Sequence, residues 1–295
     1  MTGQSPSADD LALFGTPGRR VRLMLALAVL LVLPFAASPF LPDLANQVLL
    51  AAIGALALML LTGFAGLISL GTAGLGLYLA ISTLGLHFVI VYLGGEYEAR
   101  EALSTGVMID PPSIGSVSLT SEIAWYFVLL AFAALALLVS INLQRSRTGR
   151  AWRALRERDV VAAALGIDVR RFKLLAFVVS ATITSIAGAL FAYYRNFVSI
   201  DAFSLYLTVQ YVAMIIIGGM GSITGALLGA AFVILFPYAI EAAATLLPAR
   251  FGNVLFALDY AAFGMVMILF LLLEPAGLIG IWQRIRNVFV AARAR

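Results

Sequence analysis

Side chains that could do acid–base, nucleophilic or metal chemistry are scarce in this sequence. It contains no cysteine and one histidine, His87, so disulfides, thiolate metal sites and thiol catalysis are excluded. His87 lies in an apolar run without a second type of metal ligand nearby, which favours a packed histidine over a metal site. No carboxylate pair, Ser/His/Asp set or metal-ligand spacing has support. The sequence therefore predicts neither an enzyme nor a bound cofactor.

Asp259 is the one ionisable side chain predicted well inside an apolar run. A charged group at membrane depth is a functional candidate, because it is costly to keep there. Since Asp259 is about one turn from the end of its run, it could equally reach the interface, and both interpretations stay open. An ion-coupled secondary transporter would need paired carboxylates or a Lys inside the membrane, and only Asp259 is available, so this class stays open as the less favoured alternative. A membrane enzyme would need a cluster of polar groups at one depth, and the sequence shows none.

Composition identifies the class of protein. Apolar residues make up 62% of the chain and charged residues 12%, whereas a soluble domain is about half apolar and a quarter charged. Apolar runs of about 20 residues recur, each long enough to cross a bilayer. The sequence predicts an all-α, polytopic helical membrane protein with about eight transmembrane helices, some short or broken. The predicted spans are 21–41, 45–63, 68–93, 123–143, 174–194, 205–217, 223–240 and 254–273.

The distribution of charge predicts which side of the membrane each loop faces. Of the 19 Lys and Arg residues, nine lie between Arg145 and Lys173, so the loop 144–173 belongs in the cytoplasm by the positive-inside rule. The interval 94–122 is acidic and belongs outside. Residues 1–18 are predicted to form a disordered cytoplasmic tail, 19–280 a single transmembrane domain, and 281–295 a basic cytoplasmic tail. Both termini are therefore predicted to be cytoplasmic, and the basic residues, clustered beside spans, give no argument for nucleic acid.

Within the loop 144–173, Gly149 and Gly166 bracket a predicted helix of about four turns. Its alanines favour helix, its charges keep it solvated, and no clean apolar stripe is visible on a helical wheel. Such a helix would stay out of lipid and could fit a groove on a soluble partner. The alternative is a solvated charge run that only obeys the positive-inside rule, and the residues alone favour neither.

Glycines carry the clearest pattern within the spans. Gly221, Gly225 and Gly229 recur every four residues, a small-residue face that lets two membrane helices approach closely. Ordinary packing inside one bundle is the main interpretation. A pathway lining or a subunit interface is the alternative.

Several of these segments resemble one family. Residues 156–173 (RERDVVAAALGIDVRRFK), followed by LLAF, resemble the cytoplasmic coupling loop of ABC-transporter permeases for branched-chain amino acids, of the high-affinity Leu/Ile/Val type. The stretch MIIIGGMGSITGALLGAAF, the earlier LTGFAG and SLG, and the closing EPAGL are similar to other motifs of the same family. The resemblance covers roughly residues 45–285. Urea and short-amide permeases share this plan and are the nearest alternative.

The resemblance implies a permease subunit of an inner-membrane ABC importer, with ATP hydrolysed by partner subunits. Expected partners are two cytoplasmic ATP-binding subunits, a second homologous permease, and a periplasmic or lipid-anchored substrate-binding protein, besides membrane lipid. The substrate path is expected between spans two, three, five and six. The candidate ATPase contacts in the coupling helix 154–166 are Ala154, Arg156, Glu157, Asp159, Ala162 and Gly166. The candidate packing or pathway glycines are Gly71, Gly218, Gly219, Gly221, Gly225 and Gly229.

The sequence departs from the family pattern in two places. The family commonly has an acidic residue at the position of Ala163, so one charged contact to the ATPase is expected to be weaker here. After Ser69-Leu70-Gly71 the family has another complete span, whereas only residues 72–75 intervene here. About two spans of the usual plan are therefore missing near residue 72, an even number that preserves the sidedness of everything downstream.

Overall fold

The protein is a bundle of apolar helices. A computed structural model describes residues 30–32, 34, 40–66, 73–100, 106–114, 117–244, 264–266, 268–269, 272, 277–281 and 284. The predicted all-α polytopic class is confirmed, because four helices in these ranges are long and apolar enough to cross a membrane. Predicted spans one and eight lie largely outside the described residues, and Asp259 and Gly71 lie outside them as well. So does the segment 67–72, near which two spans of the family plan are predicted to be missing. The four spanning helices are Phe40–Phe64, Glu122–Arg145, Val169–Arg195 and Ile223–Ala242.

The helices and strands follow one another in a simple order. The helices are α1 (Phe40–Met59), α2 (Ala73–Arg100), α3 (Glu122–Arg145), α4 (Arg147–Glu157), α5 (Asp159–Ala164), α6 (Val169–Arg195), α7 (Leu205–Gly218) and α8 (Ile223–Ala244). A π-helix, Leu60–Phe64, continues α1, and a 3-10 turn, Ile200–Phe203, precedes α7. The strands are β1 (Val107–Met108), β2 (Ser113–Ile114), β3 (Val117–Ser118) and β4 (Phe197–Val198), with β1 antiparallel to β4 and β2 to β3.

Helix α1 is the centre of the bundle and packs against α3, α6, α7 and α8. A Cβ atom on Gly54 would lie 2.5 Å from the ring of Tyr211, so the glycine lets α7 approach closely. The Ser180 hydroxyl donates a hydrogen bond of 2.8 Å to the Ala57 carbonyl and joins α6 to α1. Small residues and interhelical hydrogen bonds hold the helices together where lipid removes the hydrophobic driving force.

Helices α7 and α8 form a hairpin whose turn is made by glycines. Gly219 and Gly221 have φ of 111° and 92°, a region that L side chains rarely adopt. The Ser222 hydroxyl then accepts a hydrogen bond of 3.1 Å from the Gly225 amide at the start of α8. This places the glycines of α8 against the backbone of α7.

The third predicted span is longer than the sequence indicated. Helix α2 continues through Gly85 without a break and ends at Arg100, past the predicted end at residue 93, so residues 94–100 of the predicted outer loop are helical. An ion pair of 3.1 Å between Glu96 and Arg100 lies one turn apart on this extension, an arrangement that supports helix. Glu98 accepts a hydrogen bond from the Ile200 amide and so joins α2 to the 3-10 turn.

The single four-turn helix predicted between Gly149 and Gly166 is wrong. Two helices occupy this stretch, because Arg158 is extended (φ −158°, ψ 112°) between α4 and α5. The prediction that no apolar stripe exists is also wrong: Ala151, Trp152 and Leu155 lie on one face of α4 and are buried. An ion pair between Asp159 and Lys173 stabilises the new chain direction after Arg158.

Candidate functional sites: the basic loop and the bundle cavity

The basic loop, residues 146–168, is held firmly against the bundle by α4. Trp152 is completely buried, and its indole nitrogen donates a hydrogen bond of 2.9 Å to the Phe172 carbonyl at the start of α6. The Ser146 hydroxyl accepts from the Gly149 amide and caps α4, while the Asp168 carboxylate accepts from the Arg171 amide and caps α6. The loop is therefore anchored to the folded bundle and is more than a solvated connection between two helices.

Helix α5 and Leu165, the residue that follows it, present large apolar side chains away from the bundle. Val160 is 82% exposed and Leu165 74% exposed, and both lie outside the membrane-spanning helices. Exposed apolar patches outside the bilayer mark interaction sites. Neither residue was among those predicted from the sequence. The sequence feature that could have indicated them is a large apolar side chain in a stretch that its charged residues keep in water.

Arg156 joins the basic loop to two glycines at the ends of the membrane helices. A Cβ atom on Gly66, just after the π-helix, would lie 2.8 Å from the Arg156 Cα atom, and one on Gly221 would lie 2.4 Å from its Nη1 atom. Gly66 and Gly221 both have positive φ. The structure thus brings together one predicted loop residue, Arg156, and one predicted glycine, Gly221.

The other predicted loop residues differ in exposure. Ala154 is half-buried and Ala162 is buried, whereas Glu157 is exposed. Asp159 is half-buried and paired with Lys173. Gly166 is exposed and has φ of 83° in the turn that follows α5.

Apart from Gly221, the described glycine candidates pack backbone against backbone. A Cβ atom on Gly218 would lie 2.0 Å from the Gly225 carbonyl oxygen, and one on Gly229 would lie 1.8 Å from the Met214 carbonyl oxygen. Gly219 is covered by Gly277, where an added Cβ atom would meet the Gly219 amide at 2.6 Å. Gly71 lies outside the described residues.

A cavity of about 560 Å³ lies between α1, α6 and α7, a size typical of small-molecule sites. Its walls come from predicted spans two, five and six, from Ile234 of span seven, and from Arg195, Ala202 and Phe203 in the segment between spans five and six. Within the described residues α2 contributes none of them. None of the described candidate glycines lines it; the nearest lining residue of α7, Met214, is one turn before the Gly218 break. The polar residues that line the cavity are Gln47, Thr184, Ser185, Tyr194, Arg195, Thr208, Gln210 and Tyr211.

A polar cluster joins α1, α3 and α6 at the end of the bundle opposite the basic loop. The Tyr194 hydroxyl contacts Asp43 Oδ1 and lies 3.0 Å from Glu122 Oε2. Asn46 Nδ2 donates to Glu122 Oε2 at 3.1 Å, and Asn46 is completely buried. We name Asp43, Asn46, Glu122 and Tyr194 the outer polar cluster. Sequence reasoning missed it because its members are far apart in the chain.

Gln47 extends the outer polar cluster toward the cavity. Its amide nitrogen donates to Asp43 Oδ2 at 2.9 Å, and its amide oxygen accepts from the Tyr238 hydroxyl at 3.1 Å. Gln47 and Tyr194 both line the cavity. The cluster is therefore the polar end of an otherwise mainly apolar chamber.

Comparison with known proteins identifies the family. A family model described as "Branched-chain amino acid transport system / permease component" matches residues 22–273. The chain is 39% identical over 109 residues to the high-affinity branched-chain amino acid transport system permease protein LivM of Escherichia coli K12, covering 37% of this chain and 26% of that protein. It is 29% identical over 166 residues to LivH of Salmonella typhimurium LT2, covering 56% of this chain and 49% of that protein.

A more distant relative is matched over a longer stretch. The chain is 25% identical over 221 residues to the probable branched-chain amino acid transport permease protein LivH of Methanocaldococcus jannaschii, covering 71% of this chain and 66% of that protein. The matches thus span from about a quarter to two thirds of the relatives' lengths. No solved structure matches. The chain is a multi-pass protein of the inner membrane and belongs to the family of branched-chain amino acid transport permease components.

Proposed function

We propose that this chain is the translocating subunit of an ABC importer that carries branched-chain or related amino acids across the inner membrane. ATP is hydrolysed on two cytoplasmic partner subunits, and this chain supplies the pathway. The observation that carries the proposal is the basic loop, in which the buried face of α4 anchors α5 and leaves Val160 of α5 and the following Leu165 exposed. A second permease subunit completes the pathway, and a substrate-binding protein delivers the amino acid from outside.

Coupling runs through Arg156 in this proposal. Its backbone lies against Gly66 after the π-helix, and its guanidinium lies against Gly221 in the α7–α8 turn. Because α4, the π-helix and this turn are in contact, a displacement of the loop by the ATPases displaces the ends of α1 and α7, which also wall the cavity. ATP binding shifts the transporter between outward and inward access only to the extent that the ATPases favour one loop position.

Val160→Glu is expected to release the ATP-binding subunits. Burying a Val side chain contributes about 1.5–3 kcal/mol, and a buried carboxylate adds a desolvation cost, so the amount of ATPase retained on the purified permease should fall by about tenfold or more. The measurement is co-purification of the full complex from membranes. Arg150→Gln is the matched control: it also lowers the loop charge by one, on an exposed position of α4, and should retain the ATPase. Equal retention by Val160→Glu, or no ATPase on the wild-type chain, would contradict the proposal.

A further inference from the structure

We propose that the outer polar cluster recognises the α-ammonium group of the transported amino acid, while Arg195 receives its α-carboxylate. This inference rests on the proposed function and assigns residues to substrate recognition. By the positive-inside rule the basic loop is cytoplasmic, so the cluster, at the opposite end of the bundle, faces the side from which substrate arrives. Glu122 is exposed and Asp43 half-buried, so the cluster is open to an entering ligand.

The cluster has more hydrogen-bond acceptors than donors. The Tyr194 hydroxyl carries one hydrogen but contacts two carboxylate oxygens, on Asp43 and on Glu122. Both amide hydrogens of Asn46 are already used, because Nδ2 donates to the Glu122 carbonyl and to Glu122 Oε2. Each carboxylate oxygen can accept two hydrogen bonds, so the oxygen that the hydroxyl hydrogen does not serve still has a lone pair for a cationic donor.

The cluster also has negative charge without a matching positive charge. In the described part of the chain the ion pairs join Glu96 to Arg100, Asp168 to Arg171 and Asp159 to Lys173, and none includes Asp43 or Glu122. Two neighbouring carboxylates attract a cation electrostatically. A primary ammonium supplies one positive charge and three N–H donors and has no acceptor.

Asn46 provides an independent indication of a missing donor. Its side-chain oxygen is buried and has no hydrogen-bond partner, and its amide nitrogen points to Glu122 within the cluster. An unsatisfied buried acceptor costs about 1–3 kcal/mol, and native structures contain few such groups. The oxygen and the nitrogen belong to one planar amide, so the unpaired acceptor lies next to the cluster that Nδ2 contacts.

The cavity places the rest of an amino acid in a matching environment. Tyr194 and Arg195 are consecutive and both line it, so a cation site and an anion site lie at the same end. Arg195 is exposed and belongs to none of the ion pairs of the described residues, and guanidinium groups bind carboxylates with two parallel hydrogen bonds. Leu50, Phe191 and Met214 line the deeper wall, which suits a branched apolar side chain.

The test compares leucine with two analogues on the purified full-length chain. Isoamylamine lacks the carboxylate of leucine, and isocaproate lacks its ammonium. Competition against labelled leucine is measured for the wild type, Asp43→Asn and Arg195→Gln, together with uptake of labelled leucine by cells that express the complete transporter. Asp43→Asn keeps an oxygen to accept from the Tyr194 hydroxyl, and Glu96→Gln and Arg100→Gln are controls that remove one charge each from an exposed pair. Gel filtration checks that every variant is folded.

Each variant is expected to lose recognition of the ligand group that the changed residue binds. Asp43→Asn should weaken leucine binding by about tenfold or more, because the ammonium group loses a hydrogen bond to a charged group. Isoamylamine should then no longer compete with leucine, whereas isocaproate should still compete. Arg195→Gln should show the reverse selectivity, and the two controls should bind as the wild type does. Two results would overturn this inference and leave the proposed function standing. In the first, cells with the wild type take up leucine but the purified wild-type chain does not bind it. In the second, Asp43→Asn binds leucine as tightly as the wild type does. Absence of uptake by the wild type would overturn both the inference and the proposed function.

Discussion

Gly229→Ala is expected to disrupt the α7–α8 hairpin and with it the folded bundle. The added methyl carbon would lie 1.8 Å from the Met214 carbonyl oxygen and 3.0 Å from the Gly218 Cα atom, and both atoms belong to backbone that no side-chain rotation can move. Overpacking a filled interior costs about 1–3 kcal/mol of folding free energy and occasionally more. A clash with backbone should cost an amount at the upper end of this range, because backbone cannot move aside as a side chain can. The temperature at which the purified chain loses its monodisperse peak in detergent should fall by several degrees.

Gly188→Ala is the matched control for this substitution. Gly188 is also a helical glycine, in the middle of α6, but a Cβ atom there would meet nothing within 4 Å. Alanine has a higher helix propensity than glycine by about 1 kcal/mol, so Gly188→Ala should leave the chain as stable as the wild type or more so. If both variants unfold at the wild-type temperature, α7 and α8 are not packed as described.

The bundle follows from the sequence because its signals are local. Apolar runs long enough to span the membrane mark α1, α3, α6 and α8, and the helices found there agree closely with the predicted ranges. The four-residue spacing of Gly221, Gly225 and Gly229 indicated a close helix contact, and in the structure Gly225 and Gly229 lie against α7. In both cases periodicity along one helix carries the information.

The parts that the sequence did not predict depend on contacts between distant residues. The break at Arg158 follows from burying Trp152 on the bundle and pairing Asp159 with Lys173, and neither partner is visible in local propensity. The π-helix after Met59 has no composition signal of its own. The outer polar cluster joins Asp43 to Tyr194, 151 positions apart in the chain, and needed the arrangement of three helices to be known.

Trp152→Ala is expected to detach the basic loop from the bundle while the membrane helices stay folded. The Trp152 side chain is completely buried outside the spanning helices, where water is the competing environment and burial is favourable. Truncating a buried Trp costs about 3–5 kcal/mol, and the Phe172 carbonyl also loses its donor. The population with an open loop should therefore rise by about 100-fold or more, and trypsin should cleave the purified chain at Arg150, Arg156 and Arg158 correspondingly faster.

Trp152→Phe separates the two contributions to this anchor. The Phe ring keeps much of the buried apolar surface but cannot donate to the Phe172 carbonyl, so its cleavage rate should lie between those of the wild type and Trp152→Ala. Val160→Glu, which changes an exposed residue of α5, should be cleaved at the wild-type rate although it is expected to lose the ATPase. That difference distinguishes a loop that is detached from one that is in place but cannot dock. Equal cleavage of Trp152→Ala and the wild type would show that Trp152 does not hold the loop, and would remove the rigid connection on which coupling through Arg156 depends.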